Sequence, residues 1–245
     1  MSLYRQHYYP EAKFGGFSDI DATIAFYTRV RALLNPQSVV LDVGCGRGEY
    51  KDDPIEFRKT MRILHGHCAK VIGIDVDRVA ATNPFIDEFH LILAKEWPIA
   101  SVSIDVCCCD WVVEHLPEPA VLFDEAKRVL KPEGVLCIRT QNKRSYSGLA
   151  ARLIPNRLHT PVLRWAQKNR KEEDVFPTVY RCNTVGNLKA MLNASGFESI
   201  VYGYESEPGY LEFSKLVFGI AAKMRSLIPS GLRTSIFAFA RKPAS

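Results

Sequence analysis

The chain carries a run of β-forming residues that ends on an acid and then breaks into alternate glycines: Val39-Val40-Leu41-Asp42-Val43-Gly44-Cys45-Gly46-Arg47-Gly48. Such a run reads as a buried strand entering a turn, where Gly44, Gly46 and Gly48 let a ligand lie against bare backbone. A dinucleotide fingerprint needs its third glycine three places after the second, and Glu49 stands there. No Gly-Lys-Ser/Thr follows, which excludes a phosphate-cradling P-loop. Asp42 is a poor neighbour for pyrophosphate and a good one for an ammonium group. A helix N-terminus after the turn would suit a carboxylate. A ligand carrying both groups is an amino acid, and adenosylmethionine fits these residues better than any dinucleotide.

Three further segments follow in order. "KVIGIDVD" reads as a second strand ending on Asp75, followed by Val76. "SIDVCCCDWVVEHLPEP" reads as a fourth strand and the turn after it, with Asp110 and Trp111 at the junction. "EAKRVLKPEGVLCIRTQN" reads as a helix, a Lys-Pro-x-Gly turn and a fifth strand.

With all four segments at these spacings, the stretch from Val39 to Asn142 resembles the class I S-adenosylmethionine-dependent methyltransferases, and its overall pattern is similar to the ubiquinone-biosynthesis-like group and relatives from glycan or natural-product pathways. The resemblance implies an α/β, Rossmann-like methyltransferase fold: a mostly parallel seven-stranded sheet with an antiparallel edge strand and two helical insertions. It implies S-adenosyl-L-methionine as cofactor, held by Asp42, Gly44, Gly46, Asp75, Val76, Asp110 and Trp111. A carboxylate at Asp75 can accept both ribose hydroxyls. Asp110 and Trp111 either line the cofactor or fill the sheet edge. The family's acid-containing pair for adenine is replaced by Ala94 and Lys95, which leaves the ring to backbone and apolar packing.

The elements that must position these residues alternate along the chain. Strands are expected near 38–43, 70–75, 88–93, 103–109, 133–140, 198–206 and 234–241, with helices near 21–34, 54–64 and 118–130. Thr184 is a plausible N-cap of a further helix that stops at Gly196. The 245 residues suit one domain, with an N-terminal lid segment over 1–36 and insertions over 142–182 and 208–229.

The insertions are where acceptor specificity is expected. Between Arg139 and Cys182 there are ten lysines and arginines against three acids, an excess larger than the +5 of the whole chain. This clustering beside the expected cleft favours an anionic sugar, lipid or carrier-linked acceptor. Thr160-Pro161 opens a helix candidate that carries Arg164, Lys168 and Arg170. The 208–229 insertion is an apolar helix candidate too short and charged to span a bilayer. It could lie on an anionic membrane, cap the pocket, pair with a second subunit or pack in the core.

Methyl transfer from a sulfonium is a direct displacement, and a hydroxyl acceptor benefits from a base. His115, after the fourth strand, and His159, in the basic insertion, are the candidate bases, and Arg164, Tyr180 and Arg181 are candidate acceptor ligands. O-methylation of a small or carrier-linked acceptor is the expected activity. A non-catalytic cofactor-binding regulatory subunit is the alternative from a different class.

No metal is expected, because no acid or histidine set has ligand spacing near the cleft. His65-Gly66-His67-Cys68 reads as a loop, and consecutive Cys107, Cys108 and Cys109 alternate faces of a strand and cannot chelate one ion. The seven cysteines without framework spacing, and the absence of a signal-like start, point to a cytoplasmic enzyme. No aromatic-basic RNA module is seen, so a nucleic-acid acceptor is not expected.

Overall fold

The computed structural model describes residues 3–146, 148, 177–212 and 214–244. Seven strands are present: β1 (Val39–Val43), β2 (Lys70–Asp75), β3 (Glu88–Leu91), β4 (Ile104–Asp110), β5 (Leu130–Gln141), β6 (Glu198–Tyr204) and β7 (Ser235–Arg241). They form one sheet in the order β3-β2-β1-β4-β5-β7-β6. The pairs from β3 to β5 are parallel, and β7 runs antiparallel to both β5 and β6. The antiparallel strand therefore lies one place in from the edge. Its run Ile236-Phe237-Ala238-Phe239-Ala240 is apolar on both faces, as an inner strand requires.

The helices are α1 (Leu3–Tyr8), α2 (Ala22–Ala32), α3 (Glu56–Arg62), α4 (Pro119–Val129), α5 (Val185–Ala194) and α6 (Lys215–Met224), with α2 and α3 on one face of the sheet and α4 and α5 on the other. Side-chain alternation along the strands builds two cores. Leu41, Val43, Cys107, Cys109, Leu136 and Ile138 meet Leu122, Phe123 and Ala126 of α4 and Leu188 and Leu192 of α5. Val40, Val71, Val106, Cys108 and Cys137 meet Phe26, Tyr27 and Val30 of α2 and Met61 of α3. Cys108 thus faces away from Cys107 and Cys109, as the strand spacing predicts.

Caps fix where the helices start. The Asp21 carboxylate accepts from the Thr23 and Ile24 amides at 2.9 and 3.0 Å, and the Thr184 hydroxyl accepts from the Asn187 amide at 3.2 Å. One expectation changes. The glycine turn does not lead straight into an α-helix. Gly48 adopts a left-handed conformation (φ 70°) and caps a single 3-10 turn over Glu49–Asp52. Pro54 then holds Asp53 extended, so α3 begins only at Glu56. A carboxylate receptor at a helix N-terminus is therefore not formed beside the turn.

α1 and α6 pack together away from the sheet. Phe218 is buried against Tyr8 and Tyr9, with ring centroids 5.7 and 6.4 Å apart. The helix expected after Thr160, with His159, Arg164, Lys168 and Arg170, lies outside the described residues.

Candidate active site

The glycine turn closes over the ends of β1 and β2. Gly44 sits at φ 65°, its amide donates to the Ile74 carbonyl at 2.8 Å, and a Cβ there would lie 2.5 Å from Val112 Cγ2. Gly46 sits at φ 52° and donates its amide to Asp75 Oδ2 at 3.0 Å. Asp75 Oδ1 accepts the Asp77 amide at 2.9 Å. Two backbone donors thus orient the Asp75 carboxylate, and each oxygen keeps a second lone pair for another donor. Val76 and Leu93, just past the ends of β2 and β3, are exposed apolar residues beside it.

A charged layer lies under the turn, on the α2–α3 side of the sheet. Asp42 follows Val40 by two residues and so faces that side. The Asp42 carboxylate has no hydrogen bond or ion pair among the described residues. Burial, reinforced by the negative charge of Asp110, pushes its pKa up to about 7. The charge of Arg62 offsets this only in part, and an ammonium group hydrogen-bonded to the carboxylate would favour its ionised form.

Asp110 is the opposite case. Burial works against its charge, but Arg139 and Arg62 hold its carboxyl below the usual range. Arg139 binds it through both oxygens and donates Nη1 to Thr23 Oγ1 at 2.7 Å. The Tyr27 hydroxyl donates to Asp110 Oδ2 at 3.0 Å. Arg62 approaches Asp110 at 3.7 Å with its guanidinium 4.4 Å from the Tyr50 ring centre. Trp111 follows at φ 61°, a strained backbone for a bulky residue, with its amide on the Arg139 carbonyl at 2.8 Å. Its ring centre lies 5.4 Å from the Arg139 guanidinium.

One cavity adjoins this layer and a second adjoins the first. The first, about 300 Å³, is lined by Thr23, Arg58, Trp111, Arg139, Glu207 and Ser235, among others. The second, about 310 Å³, is lined mostly by apolar residues, including Pro208, Leu211, Ala221, Met224 and Ile228. Tyr146 and Ser206 belong to both walls, so the two spaces share a boundary.

The remaining candidates are more scattered. His115 Nδ1 lies 3.1 Å from the Pro177 carbonyl oxygen. A carbonyl can only accept, so this bond places the proton on Nδ1 and makes Nε2 the basic nitrogen of the neutral ring. Neighbouring Glu114 is buried, accepting from Thr140 Oγ1 at 2.7 Å. Its carbonyl accepts the Tyr180 amide at 3.1 Å. Arg181 is exposed. Neither cavity is lined by His115, Tyr180 or Arg181.

Sequence reasoning missed Thr23, Tyr27, Arg62 and Arg139. The signal for Arg139 was available: an arginine inside the apolar run of β5 must have a buried partner. Among the described residues no group of three or more His, Cys, Asp or Glu could hold a metal. No described helix is long and apolar enough to cross a membrane.

Comparison with known proteins locates this architecture. A family described as "Methyltransferase domain" matches residues 18–201. A probable S-adenosylmethionine-dependent methyltransferase of Mycolicibacterium smegmatis is 34% identical over 113 residues, covering 44% of this chain and 40% of its own. A ubiquinone biosynthesis O-methyltransferase of Histophilus somni is 27% identical over 143 residues, 55% of this chain and 58% of its own. A tRNA U34 carboxymethyltransferase of Campylobacter jejuni is 23% identical over 163 residues, 66% of this chain and 50% of its own. The matches span about two-fifths to three-fifths of these relatives' length. Among solved structures, the [4+2]-cyclase SpnF superposes with a TM-score of 0.55 at 18% identity, over 91% of this chain and 81% of its own. That likeness shows a shared fold.

Proposed function

The chain belongs to the methyltransferase-domain family, and on that premise we propose that it transfers a methyl group from S-adenosylmethionine to a hydroxyl oxygen of a small or carrier-linked acceptor. The observation that carries the cofactor assignment is Asp42, a carboxylate beside the glycine turn with no hydrogen bond or ion pair among the described residues and a pKa raised to about 7. Gly44 and Gly46 give the ligand access to backbone, and Asp75 is oriented to accept ribose hydroxyls. Val76 and Leu93, exposed and apolar, suit the faces of an adenine ring, consistent with the missing acid at Ala94 and Lys95.

When bound, the sulfonium supplies a methyl group already activated for displacement. The chain's own task is to hold the acceptor in line, keep water away and take a proton. Trp111 and Arg139 form the wall between the charged layer and the first cavity, where an acceptor would lie. His115, with its proton on Nδ1, is the candidate base. A space of about 300 Å³ supports a small acceptor group. The basic excess between Arg139 and Cys182 supports an anionic one.

Calorimetry with S-adenosylhomocysteine tests the cofactor half, and Asp42→Asn should weaken binding above neutral pH. Incubation with methyl-labelled cofactor and hydroxyl-bearing metabolite pools tests the acceptor half. Label found only on tRNA or on nitrogen would refute the O-methylation reading, and tight binding with no turnover on any pool would indicate a regulatory subunit.

A further inference from the structure

α6 has three faces that do different things. Phe218 and Gly219 are buried against α1, and a Cβ on Gly219 would lie 2.0 Å from the Tyr8 hydroxyl. Ala221, Met224, Arg225 and Ile228 wall the second cavity. The remaining face turns outward and is apolar: Leu216 is 73% exposed, Ile220 51% and Leu227 72%. Leu216, Ile220 and Met224 recur at i, i+4 spacing and form one stripe on α6, Leu227 extends the exposed apolar surface in the 3-10 turn after the helix, and Met224, exposed yet lining the cavity, borders both. Apolar surface therefore runs without a break from the outside of the helix into the cavity.

The segment that carries the stripe has charge of one sign. From Lys215 to Arg233 the chain has four basic residues and no acid. Lys215 and Lys223 are exposed beside the stripe. A second copy of this chain would set like charges against each other if the stripes paired face to face. An anionic lipid surface complements them.

The cavities complete the picture. The one beside Trp111 and Arg139 carries most of the charged groups, and its mostly apolar neighbour, with Glu205 and Arg225 in its lining, adjoins it at Tyr146 and Ser206, which line both. A molecule occupying both would have a polar end near the cofactor and an apolar tail ending at α6. We propose that the methyl acceptor is an amphiphilic lipid, seated with its polar end in the cavity beside Trp111 and Arg139 and its tail along Ala221 and Met224, and taken from an anionic membrane on which the outer stripe of α6 rests. This rests on the methyl-transfer reading for what happens at the polar end. The membrane seat and tail cavity are judged by readouts that need no turnover.

The test uses the full chain. Wild-type protein should co-sediment with mixed phosphatidylcholine–phosphatidylglycerol vesicles and only weakly with pure phosphatidylcholine. Leu216→Glu with Ile220→Glu, both at exposed positions, should cut that partitioning about tenfold or more while homocysteine-cofactor affinity stays unchanged. Ala221→Phe should leave vesicle binding intact but reduce binding of dansyl-undecanoate about tenfold, because the ring occupies the tail space. Equal sedimentation of wild type and the stripe variant would overturn the proposal. So would a concentration-dependent dimer that the stripe variant abolishes in the absence of vesicle binding, or probe binding indifferent to Ala221→Phe. Loss of S-adenosylhomocysteine binding by the wild type would instead refute the methyl-transfer reading, leaving the lipid readouts to stand separately.

Discussion

Arg139 clasps Asp110 through both carboxylate oxygens, Nε at 2.6 Å from Oδ1 and Nη2 at 2.7 Å from Oδ2, and the two residues stand opposite each other in the β4–β5 ladder. Only 2% of the Arg139 side chain and 6% of that of Asp110 is exposed. The pair also links α2 to the sheet through Thr23 and Tyr27, beside the apolar packing of Phe26 and Val30.

Removing one partner should therefore cost far more than removing both. Asp110→Ala leaves a buried guanidinium without its counter-charge and should lower unfolding free energy by about 3–5 kcal/mol in urea titrations. Asp110→Leu with Arg139→Met should recover much of that loss. The sign with pH follows from the lowered Asp110 pKa. Its contribution is present above the unfolded carboxylate value of about 3.9 and is lost as pH falls through the lower folded value. An Asp110→Ala protein matching wild-type stability would show that the pair contributes nothing net.

Asp42 should behave in the opposite sense. Its folded pKa is about 7, above the unfolded value of about 3.9, so keeping it ionised costs stability increasingly as pH rises between those values. An ammonium group favours the ionised form. Affinity for S-adenosylhomocysteine should then climb as pH approaches 7, with proton release detectable by calorimetry in buffers of different ionisation enthalpy. Asp42→Asn should flatten that limb. Identical pH profiles for the two proteins would remove Asp42 from the ligand's surroundings.

Asp75 has two roles that one substitution can separate. Both of its oxygens already accept backbone amides, from Gly46 and Asp77. Asp75→Ala should weaken cofactor-analogue binding by about 1.5–3 kcal/mol per charged hydrogen bond lost. Asp75→Asn should be no milder, because its amide group must point a donor at one of the two backbone donors. Wild-type affinity in a folded Asp75→Ala protein, read by calorimetry, would contradict this.

Gly44→Ala combines a left-handed backbone with a Cβ 2.5 Å from Val112 Cγ2. It should cost about 1–3 kcal/mol from backbone conformation alone, with the steric clash in addition. Adding Val112→Ala should relieve the clash and leave the backbone cost. Thermal unfolding of the single and double variants measures the difference, and equal melting temperatures would show that Val112 moves aside freely.

The parts legible in the sequence were those fixed by local pattern. The apolar run of Val39–Val43 gave β1, Asp75 fell at the end of β2, and Thr184 capped α5, because each depends on neighbours in the chain. Long-range pairing was harder to read. Asp110 and Arg139 are 29 residues apart and meet only through strand register. Tyr27 and Arg62 reach Asp110 from two different helices. The helix expected near 54–64 is present as α3, but the helix N-terminus expected directly after the glycine turn is replaced by a 3-10 turn and the extended Asp53-Pro54. The inner placement of β7 could have been read from its two apolar faces. For His159 and Arg164 the sequence remains the source of the assignment.

The buried thiols give the chain an internal clock. Cys107, Cys108, Cys109 and Cys137 are enclosed in the central strands, and burial raises the pKa of each, so reactive thiolate is scarce while the sheet is closed. Half-buried Cys68 is the one most open to reagent. Alkylation of the other six should then track how often the protein opens, strand by strand. The lifetime of the chain in an oxidising medium is set by that opening frequency rather than by the intrinsic chemistry of its sulfur atoms.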